Sequence, residues 1–315
     1  MTTILLGLLF GFALLIWSAD RFVIGAVGLA DNFNISPIVI GVVVIGFGTS
    51  APELLISAVS AWQGNSGLAI GNAIGSNIAN IALILGVTAF LTPILVARQT
   101  IFREFPILFI ATAIVWFVLR DSSLSLIDAL VLIGALIALI SYLATHSSGQ
   151  AEQEPSDHHY SFGMSLLWTV AGLLLLLVSS NILVQSSVKL AQYFGVSDLV
   201  IGLTIVAIGT SLPELAASVT GALKHHTDLA IGNVVGSNIF NTLGVIGVPG
   251  LIQTYSIPSE VFSRDFPIMI ALTLLLFALA YFTHKGNGMH RFSGLLLLAC
   301  FVAFQVTLYI QNIPR

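Results

Sequence analysis

The sequence predicts an all-α membrane protein of ten transmembrane helices, arranged as two inverted five-helix repeats. Three observations carry that reading. Of 315 residues, 57% are hydrophobic and 8% charged, with a mean hydropathy of +1.03, whereas a soluble domain carries about 25% charged residues. Uncharged apolar runs of membrane-spanning length recur along nearly the whole chain. The chain also repeats itself at one constant offset, 161 residues, the step from Gly41 to Gly202.

Apolar stretches between polar punctuation place the spans near 3–27, 37–62, 67–91, 103–119 and 124–145, then 162–190, 198–222, 228–252, 264–283 and 291–311. The first lacks a basic start and runs too long for a cleaved signal peptide. Residues 1–145 are then the first repeat and 162–315 the second. Between them, residues 146–161 read HSSGQAEQEPSDHHYS, the composition of a flexible cytoplasmic linker. Glu152, Glu154, Asp157 and the pair His158 and His159 belong to that linker more readily than to a regulatory cation site. Cys300, the one cysteine, lies in an apolar run and makes no internal disulfide. A net charge of −4 offers nothing to a polyanion, so nucleic acid is not an expected partner. The lipid bilayer is an expected partner, and no protein partner is implied.

The repeat lays GVVVIGFGTSAPE, from Gly41 to Glu53, on GLTIVAIGTSLPE, from Gly202 to Glu214. It lays LAIGNAIGSNI, from Leu68 to Ile78, on LAIGNVVGSNI, from Leu229 to Ile239, and Arg103-Glu104-Phe105-Pro106 on Arg264-Asp265-Phe266-Pro267. Five spans per half is an odd number, so the second half enters the membrane from the side opposite to the first. The halves are then related by an axis in the membrane plane, and a substrate binds between them near mid-depth. Arg21, Arg98, Arg103, Lys224, Lys285 and Arg291 fall on the side away from the N-terminus, against Arg120, Lys189, Arg264 and Arg315. By the positive-inside rule both termini of this multi-pass protein lie outside the cytoplasm.

Glu53 lies about sixteen residues into the second span, and Glu214 occupies the equivalent place in the seventh. An acidic residue at a helix centre costs about 2.5–3.5 kcal/mol on insertion scales. Two at matched positions point to cation binding rather than to helix packing by protonated carboxyls. Each follows a Gly-Thr-Ser-x-Pro run, Gly48 to Pro52 and Gly209 to Pro213. Proline donates no N–H, so the carbonyls of Gly48 and Gly209 should lose their helical partners. Broken backbone at that depth survives where it lines a cavity or meets an ion. Thr49 and Ser50, like Thr210 and Ser211, share a helix face with the glutamate that follows. Ser76 and Asn80 in the third span match Ser237 and Asn241 in the eighth and supply the facing wall. Gly71 and Gly75, with Gly232 and Gly236, read as small residues that let helices approach. Asn72, Asn77, Asn233 and Asn238 read as packing residues.

These ligands are all oxygens, which suit hard cations such as Ca²⁺. No Cys or His accompanies them, which disfavours zinc and copper. An enzyme would need a base beside Ser50 or Ser211, and no His lies at that depth. No catalytic residue and no cofactor are expected.

The GTSxPE and GNxxGSN blocks, once per half, resemble the paired repeats of the sodium/calcium exchanger family in the Ca²⁺/cation antiporter superfamily, particularly its short prokaryotic, YrbG-like members. The resemblance implies that Glu53 and Glu214 are shared Ca²⁺ and Na⁺ ligands, completed by Thr49, Ser50, Thr210 and Ser211. It also implies Ser76, Asn80, Ser237 and Asn241 as polar ligands, and the carbonyls of Gly46 and Ala207 as backbone ligands. Some relatives carry Asp where this chain has Asn241, which argues against K⁺ co-transport. The expected function is Na⁺/Ca²⁺ antiport by alternating access. A Ca²⁺/H⁺ antiporter is the alternative, since buried glutamates also exchange protons. A non-transporting cation sensor is the third reading.

Overall fold

The computed structural model describes residues 1–33, 35, 37–64, 66–145, 160–194, 207–283 and 288–311. Helix α1, Thr2–Phe33, is followed by α2, which begins at Pro37–Ile40, passes a π turn at Gly41–Ile45 and ends at Gly46–Thr49. Then come α3 (Ala51–Trp62), α4 (Gly67–Leu91), α5 (Thr100–Asp121) and α6 (Leu126–Thr145). The second half contributes α7 (Phe162–Tyr193), α8 (Ala207–Thr210), α9 (Leu212–Leu223), α10 (Thr227–Ile252), α11 (Val261–Thr283) and α12 (Arg291–Gln311).

Among the described residues, eight helices are long and apolar enough to cross a membrane. There are nine if α2 and α3, bent by 48° where they meet, count as one span. The expected span at 198–222 lies partly outside the described residues; its described part, α8 and α9, has the same break as α2 and α3. Most of the expected linker also lies outside them. Helices overrun the apolar stretches at several ends. Hydropathy starts the fourth span at Arg103, for instance, but the helix starts at Thr100 because a polar π turn, Thr100–Glu104, continues it outward. Helix α1 has 32 residues, about 48 Å of helix against roughly 30 Å of hydrocarbon.

The packing repeats with the sequence. Helices α1 and α7 run antiparallel along their length: Gly11 meets Leu183, Phe22 meets Gly172 and Gly28 meets Ser165. Helices α4 and α10 occupy the centre, α10 buried on every side. They too cross antiparallel, with Asn77 meeting Thr242 and Asn80 meeting Asn238. Each of these two helices packs on the last helix of the other half. Gly86 of α4 meets Leu298 of α12, and Gly247 of α10 meets Ile133 of α6.

Two short pairings reinforce the exchange. Strand β1 (Ser123–Leu124) pairs antiparallel with β2 (Tyr255–Ser256), Leu124 opposite Tyr255. Ile94 and Met289 bridge in the same manner, each N–H donating to the other's carbonyl at 2.9 Å. Among the described residues, these pairs depart from the expected all-helical chain. An ion pair of 2.7 Å between Asp20 and Lys224 ties α1 to the residue after α9.

Candidate functional site

The breaks between α2 and α3 and between α8 and α9 fall at Ser50 and Ser211, whose φ, ψ values of −81°, 5° and −90°, 6° leave the helical region. Pro52 and Pro213 sit in the first turn of the following helix, where an N–H would have no helical acceptor. Proline therefore starts a new helix here instead of interrupting an old one. The freed carbonyl of Gly209 accepts a hydrogen bond from Ser180 Oγ at 2.8 Å, from α7. The equivalent position in α1 is Ala19, which has no hydroxyl to offer.

Each break puts a glutamate in the first turn of the next helix, at the middle of the molecule. Glu53 and Glu214 are 0% and 1% exposed, and the negative charge of Glu53 reaches Glu214. Ser50 Oγ donates to Glu214 Oε1 across the halves at 3.4 Å. Both carboxylate oxygens of Glu53 and Oε2 of Glu214 are buried with no hydrogen-bond partner among the described residues. The same holds for Ser211 Oγ, Asn80 Oδ1 and both polar atoms of Asn241. Unmet oxygens at this density are costly unless something fills the space between them. An all-oxygen set beside two carboxylates suits a hard cation.

The other expected residues line the same region. Ser76 stands against Glu53 and Thr49 against Glu214. Thr49 Oγ1 donates to Ile45 O at 2.9 Å and to Asn233 Oδ1 at 3.2 Å. Ser237 Oγ donates to the carbonyl of Gly46 at 3.3 Å, so that carbonyl is already partly engaged. Thr210 lines a neighbouring cavity with Ser76. Ala207 begins α8, and its side chain is outside the described residues.

Two asparagines read as packing residues hold the glutamates instead. Asn72 Nδ2 donates to Glu53 O and to Ser57 Oγ, both at 2.9 Å. Asn233 Nδ2 donates to Glu214 O at 3.2 Å and to Ser218 Oγ at 2.8 Å. Their exact repetition at the 161-residue offset, together with Ser57 and Ser218, was the available signal. Asn77 and Asn238 do bridge α4 and α10 as packing residues. The glycines divide. A Cβ on Gly236 would lie 2.5 Å from Val42 Cα, and one on Gly46 would lie 2.8 Å from Ser237 N, so α2 and α10 touch backbone to backbone. A Cβ on Gly71 or Gly75 would meet nothing within 4 Å. Those two do not serve helix approach; they border a cavity of about 340 Å³ that reaches Asn72 and Ser76 between α4, α11 and α12.

A membrane-spanning helical bundle with an oxygen-lined, carboxylate-bearing site at its centre is built as a cation transporter rather than an enzyme. The chain belongs to the sodium/calcium exchanger family, among its short prokaryotic members: the family model described as "Sodium/calcium exchanger protein" matches residues 3–145 and 164–310. It is 46% identical over 312 residues to CaxA of Alkalimonas amylolytica, covering 96% of this chain and 97% of that one. It is 34% identical over 313 residues to the inner membrane protein YrbG of Escherichia coli (strain K12), covering 96% and 95%. A solved structure of the sodium-calcium exchanger NCX_Mj, soaked with zero Na⁺ and Ca²⁺, superposes with a TM-score of 0.83 at 32% identity, over 98% of this chain and 100% of that one.

Proposed function

We propose that this protein is a secondary antiporter that exchanges Na⁺ for Ca²⁺ across the bacterial inner membrane by alternating access. The observation that carries the proposal is the buried pair Glu53 and Glu214, three of whose four carboxylate oxygens have no hydrogen-bond partner among the described residues. Ca²⁺ is held by both carboxylates, completed by Thr49, Ser50, Ser76, Asn80, Thr210, Ser211, Ser237 and Asn241 and by the carbonyls of Gly46 and Ala207. Na⁺ ions use the same oxygens in turn. Occupancy by either cation neutralises the pair and lets the protein reorient, whereas the bare charges resist it. Two inverted five-helix repeats, residues 1–145 and 162–315, joined by a cytoplasmic linker at 146–161, fit this cycle. The antiparallel crossings of α1 with α7 and of α4 with α10 support the inversion, because each pair consists of equivalent helices. Both termini then face away from the cytoplasm. No cofactor and no protein partner enter the scheme.

The test is Ca²⁺ uptake into proteoliposomes loaded with Na⁺ and diluted into Na⁺-free buffer without a pH gradient. Uptake that collapses with the Na⁺ gradient is expected. Uptake that ignores Na⁺ and follows a pH gradient would make the protein a Ca²⁺/H⁺ antiporter instead. Glu53→Gln and Glu214→Gln are each expected to abolish exchange while the protein remains folded and monodisperse. Undiminished flux in either variant would remove these residues from the site.

A further inference from the structure

Asn80 and Asn241 occupy matching backbone in the two halves, yet their side chains are held differently. Asn80 opens the π turn Asn80–Ile84 within α4, and Asn241 opens the π turn Asn241–Val245 within α10. Both are buried. Asn80 Nδ2 donates to Asn238 Oδ1 at 3.1 Å, and Asn80 Oδ1 is left without a partner among the described residues. Asn241 has neither amide atom engaged among those residues. A cation takes an amide through its oxygen, so an amide held by its nitrogen is already turned for the task. Asn80 is held in this way, and Asn241 is not.

The 161-residue offset carries Asn80 onto Asn241 and Asn238 back onto Asn77. The residue equivalent to the holder of Asn80 is therefore Asn77, whose Oδ1 is buried with no partner among the described residues. The helix segment that carries Asn77 packs on the π turn that Asn241 opens. Asn77 Nδ2 donates there to Oγ1 of the next residue, Thr242, at 2.8 Å, and lies 3.3 Å from Met269 Sδ. Both ends of the missing bond thus stand idle, Nδ2 of Asn241 and Oδ1 of Asn77. The two halves differ where this bond is decided. The counterparts of Thr242 and Met269 are Ile81 and Leu108, whose side chains offer Asn238 no acceptor. A hydroxyl and a thioether draw the Asn77 amide aside, whereas neither counterpart competes for Asn238, and its bond to Asn80 forms.

We propose that Asn77 and Asn238 are positioning residues for the cation ligands Asn241 and Asn80, and that Thr242 loosens the site by holding Asn77 away from Asn241. This rests on the reading of Asn80 and Asn241 as ligands and adds which of the two is preset. The Asn80 oxygen is fixed before a cation arrives. The Asn241 amide gives up its rotational freedom only on binding, so it is the looser end of the site.

The experiment is an equilibrium Ca²⁺ titration of the purified full chain in detergent without Na⁺. Thr242→Val keeps the shape and removes the hydroxyl. It is expected to free Asn77 and to tighten Ca²⁺ binding by about two- to tenfold, the contribution of one hydrogen bond. Adding Asn77→Ala to that variant should erase the gain. Ile81→Thr, which gives the first half the hydroxyl of the second, should loosen binding by a similar factor. Damaged packing does not tighten binding, so the gain in Thr242→Val separates positioning from a merely structural role. Unchanged or weaker affinity in Thr242→Val, or a gain that survives Asn77→Ala, would overturn the proposal. If Thr242→Val does not fold, Ile81→Thr decides: no loss, or a loss of the same size when Asn238→Ala is already present, overturns it. Asn241→Ala tests the reading beneath. Unchanged affinity in that variant removes Asn241 from the ligands and the proposal with it, whereas a loss there beside an indifferent Thr242→Val overturns the positioning role alone.

Discussion

Asn72 and Asn233 each donate from one amide nitrogen to a glutamate's main-chain carbonyl and to a serine hydroxyl one turn further along the same helix. That double grip fixes the first turn of α3 and of α9, and with it the direction in which Glu53 and Glu214 point. Removing an amide that holds two acceptors at once takes that donor from both, about 1–3 kcal/mol of lost stability. Asn72→Ala and Asn233→Ala are therefore expected to lower the melting temperature and to weaken cation affinity, although neither side chain is assigned to the cation. Asn72→Ser, which keeps a donor, should recover part of both losses. Thermal melting in parallel with cation titration checks this, and a loss of stability with unchanged affinity would contradict it. Asn241 makes a complementary case, fully buried with both polar atoms unmet among the described residues. Asn241→Asp adds a third negative charge at mid-depth, costing about 2.5–3.5 kcal/mol when no cation is present. The variant should be less stable than the parent without cations and should gain more from adding them.

At the scale of elements, the repeat made the carboxylates and the Gly-Thr-Ser-x-Pro breaks legible before any coordinates, because a polar signal at one offset in two apolar spans has few explanations. The sequence pattern could not say what faces a small residue. Gly71, Gly75, Gly232 and Gly236 form one motif in the two halves, but α10 is enclosed on every side while α4 borders a cavity. The roles of Asn72 and Asn233 were hidden for a related reason, since their partners depend on which face of α3 and α9 turns toward them. The divided glycines yield an opposed pair of expectations. Gly236→Val drives a side chain into the backbone of Val42 and should cost upwards of 1–3 kcal/mol, seen as lost monodisperse protein. Gly75→Leu fills open space, so the protein should fold normally and exchange cations more slowly. Equal behaviour of the two variants in folding would contradict the assignment of the cavity.

Across the whole molecule, neither half completes its own interior. Helix α4 leans on α12 and α10 on α6, the loop strand of each half pairs with the other, and Ser50 of the first half reaches Glu214 of the second. Residues 1–145 and 162–315 produced as separate chains are expected to recover a monodisperse, cation-stabilised particle only when made together. A stable folded half on its own would contradict the exchange of helices described above. Synthesis gives the same feature a temporal meaning. When the ribosome has released the first half, α6 still awaits α10, and α4 still awaits α12, the last of the described helices. The bilayer must therefore shelter an incomplete half, its glutamate already inserted, until synthesis of the second half delivers the helices that close it.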